Sequence, residues 1–204
     1  MNEPISHQPS CIILLMGIAG TGKKTIGDAI IRQDKAFKLA HHHDWVDPVL
    51  KLFDDDCHND DTASVWYSLD EKGWNALNAA RKVIFDTIAN VCAPESSFVI
   101  TYEMLANNIY HQALFNEVVE LTHIRQARFI PVRLICDLDE LLKRVTGDSR
   151  KKYYKTHDTT LIRERFTNDQ VFSSHLASEY TLNVTNLTPE EAASHILQWC
   201  QKTF

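Results

Sequence analysis

The stretch that most constrains this chain is Gly17-Ile18-Ala19-Gly20-Thr21-Gly22-Lys23-Lys24-Thr25. It follows Cys11-Ile12-Ile13-Leu14-Leu15-Met16, a short, unbroken apolar run that predicts a buried strand. It precedes Ile26-Gly27-Asp28-Ala29-Ile30-Ile31-Arg32, whose apolar spacing predicts a helix. Strand, glycine loop and helix together are the setting of a phosphate-binding loop. Three of the chain's six glycines lie in this stretch. They let the backbone turn its N–H groups inward, toward an anion at the helix N-terminus. The predicted nucleotide contacts are therefore Gly17, Ala19, Gly20, Thr21, Gly22, Lys23, Lys24 and Thr25, with Lys23 reaching the β- and γ-phosphates. The full motif has Ser or Thr directly after the lysine, to hold Mg²⁺. Here Lys24 stands in that place, and Thr25, one residue on, is the candidate metal ligand.

The rest of the chain reads as alternating strands and helices. Residues 37–41 predict a second strand, ending in His42, His43 and Asp44. Asp47-Pro48 predicts a helix start, with the aspartate as cap and the proline in the first turn. Residues 54–61 read as an acidic surface loop. Ser68-Leu69-Asp70-Glu71 has the form of a capping box opening a long helix to about Val91. Its apolar side would carry Trp74, Leu77, Ile84, Ile88 and Val91. Strands follow at 97–101, 129–136 and 180–185, and helices near 110–125, 137–147, 159–168 and 189–201. The last helix has every start signal in Thr188-Pro189-Glu190-Glu191. This alternation predicts an α/β fold with a five-stranded parallel sheet and helices on both faces, built from right-handed crossovers. Ligands in such folds bind at the carboxyl ends of the strands.

Composition narrows the classes. At 204 residues, with 44% hydrophobic and 24% charged residues, the chain is expected to form one globular domain over 11–204 behind a flexible 1–10. A net charge of −6 argues against a general nucleic-acid binder. No apolar run approaches the ~18 residues of a membrane span. The polar first ten residues lack the apolar core of a signal peptide, and the five scattered cysteines contain no CxxC. A cytoplasmic protein, monomer or homodimer, is the expectation.

Charge is concentrated in one place. Between 143 and 165 there are eight basic and three acidic residues in an otherwise acidic chain. A basic loop at 147–158 could close as a lid over phosphates and offset transition-state charge, with Arg150 as its catalytic residue. The plainer alternative is a solvated basic face. At the second strand's end, Asp44 could orient an acceptor hydroxyl or hold Mg²⁺, or simply begin the following segment as a surface cap. Glu103 is a second acidic candidate at its own strand end. Of His41, His42 and His43, only the first and third can share a strand face, so polar strand-end roles are expected before a metal site. Arg81 could reach an anionic acceptor or snorkel to the surface.

Taken together, the 17–25 loop, Leu142-Lys143-Arg144 with Arg150 beyond it, and Val184-Thr185-Asn186-Leu187-Thr188-Pro189-Glu190-Glu191 resemble the P-loop kinase family. Adenylate, shikimate and gluconate kinases are its well-known members, and the pattern is also similar to bacterial shikimate-kinase-like ATPases. The resemblance implies a sheet order of 2-3-1-4-5, with 45–93 as the acceptor-side helical segment. It implies ATP and Mg²⁺, with Arg144 packed near the adenine, Arg150 in the lid contacting phosphate, and Asn186, Thr188 and Pro189 bordering the base. The adenylate kinases' Asp-Gly-Phe-Pro-Arg after the third strand is replaced by Thr101-Tyr102-Glu103-Met104, and the shikimate kinases' Asp-x-Asp is reduced to His43-Asp44. Neither nucleoside monophosphate nor shikimate is thus indicated as acceptor. The sequence reading is a Mg-ATP-dependent kinase of a small-molecule acceptor, with Lys23, Asp44 and Arg150 as catalytic residues. Its rival is a regulatory ATPase or switch that phosphorylates no metabolite.

Overall fold

The computed structural model describes residues 9–53, 65–147 and 154–203. The elements, in chain order, are β1 (Cys11–Met16), α1 (Lys23–Gln33), β2 (Phe37–His41), α2 (His43–Leu50), α3 (Val65–Ser68), α4 (Glu71–Asn90), β3 (Ser97–Tyr102), α5 (Ile109–Ile124), β4 (Arg128–Ile135), α6 (Leu138–Val145), α7 (Thr159–Asn168), β5 (Tyr180–Asn183) and α8 (Pro189–Lys202). The strands form one parallel sheet in the order β2-β3-β1-β4-β5, as expected.

The central strand explains its own composition. Side chains alternate across a strand, so Cys11, Ile13 and Leu15 enter the core on one face while Ile12, Leu14 and Met16 enter the other. Helices cover both faces, which is why β1 is an unbroken apolar run rather than an alternating one. One face packs under α1, α6, α7 and α8, through residues such as Ile30, Leu141, Ile162 and Ile196. The other packs under α2, α4 and α5, through Leu50, Phe85 and Val118. Each such side chain, once buried, contributes about 1.5–3 kcal/mol. Pro131 sits within β4, but β5 pairs only from Val132 onward, so that flank of β4 is still an edge at the proline.

Three local expectations are corrected. Helix α2 begins at His43, not at Asp47, so Pro48 lies inside it and Asp47 bonds His43 instead of capping. The proline ring removes the N–H that would have met the Asp44 carbonyl one turn earlier. Helix α4 is capped by Asp70, whose carboxylate accepts from the Gly73 N–H at 2.9 Å, and not by Ser68. Ser68 ends α3 and gives its hydroxyl to the Val65 carbonyl. Within α4, Trp74 is 45% and Val91 77% exposed, and Phe85 joins Leu77 and Ile88 on the buried side. Trp74 leans on Trp66 along the surface, with ring centroids 5.9 Å apart, and Val91 falls past the last helical turn. The acidic loop at 54–61 lies outside the described residues, as does most of the N-terminal stretch.

Candidate active site at the strand ends

The loop between β1 and α1 is shaped by its glycines. Gly20 and Gly22 have φ of 94° and 85°, in the left-handed region that side chains avoid. A Cβ on Gly17 would lie 2.7 Å from Thr21 Oγ1 and 3.0 Å from the Leu134 carbonyl, so the loop can tuck against β4 only without one. Buried Thr21 donates its hydroxyl to the Ile18 carbonyl at 2.9 Å and closes the turn. Lys23 arches back over the loop, its Nζ donating to the carbonyls of Gly17 (2.8 Å) and Ile18 (2.9 Å). Thr25 gives its hydroxyl proton to the Gly22 carbonyl at 2.9 Å. Lys24 pairs with Asp28 one turn along α1, at 3.0 Å.

Around this loop stand the ends of the other strands. Asp44 is exposed in the first turn of α2. Partial desolvation raises its carboxyl above the usual range, while the charges of Lys24 and Lys155 oppose that rise. Glu103 follows β3, with one carboxylate oxygen accepting from the Ala19 N–H of the loop at 3.1 Å and the other from Arg165 Nη1 of α7 at 2.6 Å. Burial works against its ionisation, but Arg165 and then Lys23 outweigh it, and the carboxyl lies below the usual range.

The three histidines go three ways. Buried His41 shares a 2.6 Å hydrogen bond with Thr101 Oγ1, and burial, then Lys155, push its pKa down to about 2. His42 packs its ring against Tyr102 at 4.5 Å and stacks on Trp66, and burial holds it neutral. His43 bonds the Asp47 carboxylate at 2.6 Å. Among the described residues no group of three or more His, Cys, Asp or Glu could hold a metal ion.

On the far side of the loop, Arg144 donates to Glu140 and to the carbonyls of Val184 (2.9 Å) and Thr185 (3.2 Å). One of its terminal nitrogens lies 3.9 Å from where a Gly22 Cβ would sit, so the guanidinium stands between the glycine loop and the end of β5. Asn186 is exposed on the next turn. Thr188 and Pro189 start α8: the Thr188 hydroxyl accepts from the Glu191 N–H, and the Glu191 carboxylate from the Thr188 N–H. Their polar groups are thus spent on the helix cap. Arg150 lies outside the described residues. The structure therefore gathers Lys23, Thr25, Asp44 and Arg144 about one loop. It adds Arg165, to which the sequence assigned no role, because nothing local signals a partner 62 positions away.

No family model matches this chain, and no curated protein sequence matches it. Solved structures do resemble it. A candidate kinase of Chloroflexus aurantiacus superposes with a TM-score of 0.63 at 16% identity, covering 97% of this chain and 99% of that one. A thymidylate kinase of Candida albicans gives 0.60 at 14%, covering 95% and 92%. A gluconokinase of Sinorhizobium meliloti gives 0.58 at 15%, covering 95% and 93%. At these identities the likeness shows a shared fold, that of P-loop kinases. No helix among the described residues is long and apolar enough to cross a membrane.

Proposed function

We propose that this chain is an ATP-dependent kinase of a small hydroxylated molecule. The observation that carries the reading is Lys23, held over the Gly17 and Ile18 carbonyls at the N-terminus of α1, where a left-handed glycine turn opens the helix. The Lys23 ammonium, which donates to the Gly17 and Ile18 carbonyls, gains by exchanging them for phosphate oxygens, since bonds between two charged groups are the stronger. The loop N–H groups and the start of α1 would cradle the phosphates.

The remaining roles follow from position. Arg144, beside Gly22 and the end of β5, would lie along the nucleotide base, with Asn186, Thr188 and Pro189 bordering it. Asp44, at the end of β2, would orient the acceptor hydroxyl, and Arg150 would offset charge that develops during transfer. The residues also fit Mg²⁺. The Thr25 hydroxyl donates its hydrogen bond to the Gly22 carbonyl, so its oxygen lone pairs remain for a cation. With the Asp44 carboxylate it would supply the hard oxygen donors that this ion takes. When bound, the ion would neutralise phosphate charge.

Kinases of sugar acids and nucleotides among the similar structures support the reaction class, while the acceptor must be found by experiment. Pools of metabolites should be screened for ATP-dependent phosphorylation, alongside calorimetric titration of Lys23→Ala with ATP. The expected results are a phosphorylated product and loss of tight ATP binding in the variant. A Lys23→Ala protein that binds ATP as the native chain does would end the phosphate-loop reading.

A further inference from the structure

We propose that Arg165 is a positioning residue of the phosphate site, and that Glu103, clamped by it, serves as a brace for the loop and not as a base or metal ligand. The inference rests on the phosphate-loop reading only for its meaning in ATP binding; the contacts themselves are independent of it.

The bracket has three members from three parts of the fold. Ala19 belongs to the loop after β1, Glu103 follows β3, and Arg165 lies in the last turns of α7. The Ala19 N–H donates to one Glu103 oxygen at 3.1 Å, and Arg165 Nη1 donates to the other at 2.6 Å. Both carboxylate oxygens are therefore engaged. Each oxygen keeps a second lone pair, so what the two bonds do is fix the carboxylate between the loop and α7, as a brace requires. The two side chains are only 26% and 28% exposed, so the pair is shielded enough to matter.

The arginine is itself anchored. Just beyond α7 the chain pairs with the segment that follows β3: the Ala106 N–H donates to the Gln170 carbonyl at 2.8 Å and the Phe172 N–H to the Met104 carbonyl at 3.0 Å. The end of α7 is thus stapled to the same segment that carries Glu103.

The charges that face Glu103 define what its titration would report. They are Arg165 from α7 and Lys23 from α1, with His111 of α5 close enough to feel both Glu103 and Arg165. His111 accepts the Leu105 N–H through Nδ1, and burial holds it below its usual range, so it adds no cation. Without Arg165, burial would push the Glu103 carboxyl up, opposed by Lys23 and by the Ala19 N–H.

The test compares Arg165→Met, Arg165→Lys, Glu103→Gln and the double variant Glu103→Gln/Arg165→Met with the native chain. Amide exchange at Ala19, measured by NMR without nucleotide, reads the brace directly. An amide bond to a charged acceptor is worth enough that its loss in Arg165→Met should speed Ala19 exchange about tenfold or more. Arg165→Lys should retain most of the protection. Affinity for a non-hydrolysable ATP analogue should then fall more steeply in Arg165→Met than in the native chain as pH drops from about 8 to about 5.5, the loss common to both proteins coming from protonation of the analogue's own phosphate. Adding Arg165→Met to Glu103→Gln should change little, because the two act as one unit. The Mg²⁺ concentration for half-maximal analogue binding should be the same in Glu103→Gln as in the native chain. Unchanged Ala19 exchange in Arg165→Met, or a shifted Mg²⁺ requirement in Glu103→Gln, would overturn the proposal. If the native chain binds no nucleotide while Ala19 protection still follows Arg165, the brace stands and the kinase reading falls.

Discussion

Arg81 of α4 and Glu117 of α5 meet side-on, the guanidinium Nε and Nη2 donating to the two carboxylate oxygens, each at 3.0 Å. The sequence left Arg81 two alternatives, an anionic acceptor or the surface, and the fold supplies a third. Its charge is spent on a neighbouring helix, where it ties α4 to α5 beside the buried Tyr102 ring. The Glu117 side chain is 44% exposed, so solvent screens the pair. A double-mutant cycle with Arg81→Gln and Glu117→Gln, followed by urea denaturation, should give a coupling of only about 0.5–1 kcal/mol. ATP-analogue affinity should not change in either variant.

The two arginines given roles in the proposed reaction, Arg144 and Arg150, should separate by kinetics. In the proposed role Arg150 would act on charge that develops during transfer, so Arg150→Ala should lower turnover by about two or more orders of magnitude while ATP affinity falls modestly. Arg144→Ala should chiefly weaken nucleotide affinity, since its guanidinium stands between Gly22 and the end of β5. Basal ATP hydrolysis and titration with an ATP analogue distinguish the two. Equal effects on both quantities in both variants would refute this division of roles.

The buried histidines predict acid sensitivity. His41 titrates near 6.5 when unfolded and at about 2 in the fold, where burial disfavours its charge. Between those values the unfolded chain binds a proton that the native chain does not. Stability is therefore full above about pH 6.5 and falls with acid, by up to about 1.4 kcal/mol per pH unit from this group. His42 acts in the same direction. Urea midpoints measured across this range should decline with acid, and His41→Asn should flatten the slope. An unaltered slope in that variant would mean that other groups govern acid unfolding.

Arg125 just past α5 predicts a stability defect far from the site. It donates to the carbonyls of Ile88, Ala93, Pro94 and Ser96, closing the end of α4 and the turn into β3, and its guanidinium lies 5.1 Å from the centroid of the Phe98 ring. Hydrogen bonds from charged donors are worth about 1.5–3 kcal/mol each and do not add fully, so Arg125→Met should cost at least about 2 kcal/mol. Thermal unfolding should shift accordingly, with the affinity of the remaining folded protein for an ATP analogue preserved.

Local signals decided much of this molecule. The 11–25 stretch determined a strand, a glycine turn and a helix because each needs only neighbours in sequence: apolar residues for a two-faced strand, Gly20 and Gly22 for positive φ, and Thr188-Pro189 with Glu191 for the start of α8. Five strands separated by helices then left few ways to lay a parallel sheet, and the family resemblance named the order that is observed. Where local signals compete, tertiary packing chose. Asp47-Pro48 has the form of a helix start, yet α2 begins at His43. Ser68 fits a cap, yet Asp70 is the one whose carboxylate meets the amide of Gly73. The charged partnerships were not legible at all. Arg81 with Glu117 and Arg165 with Glu103 and Ala19 join residues 36, 62 and 84 positions apart. An ion pair depends on distance in space and on exclusion of water, and neither exists until the sheet has brought the strand ends and the helices together.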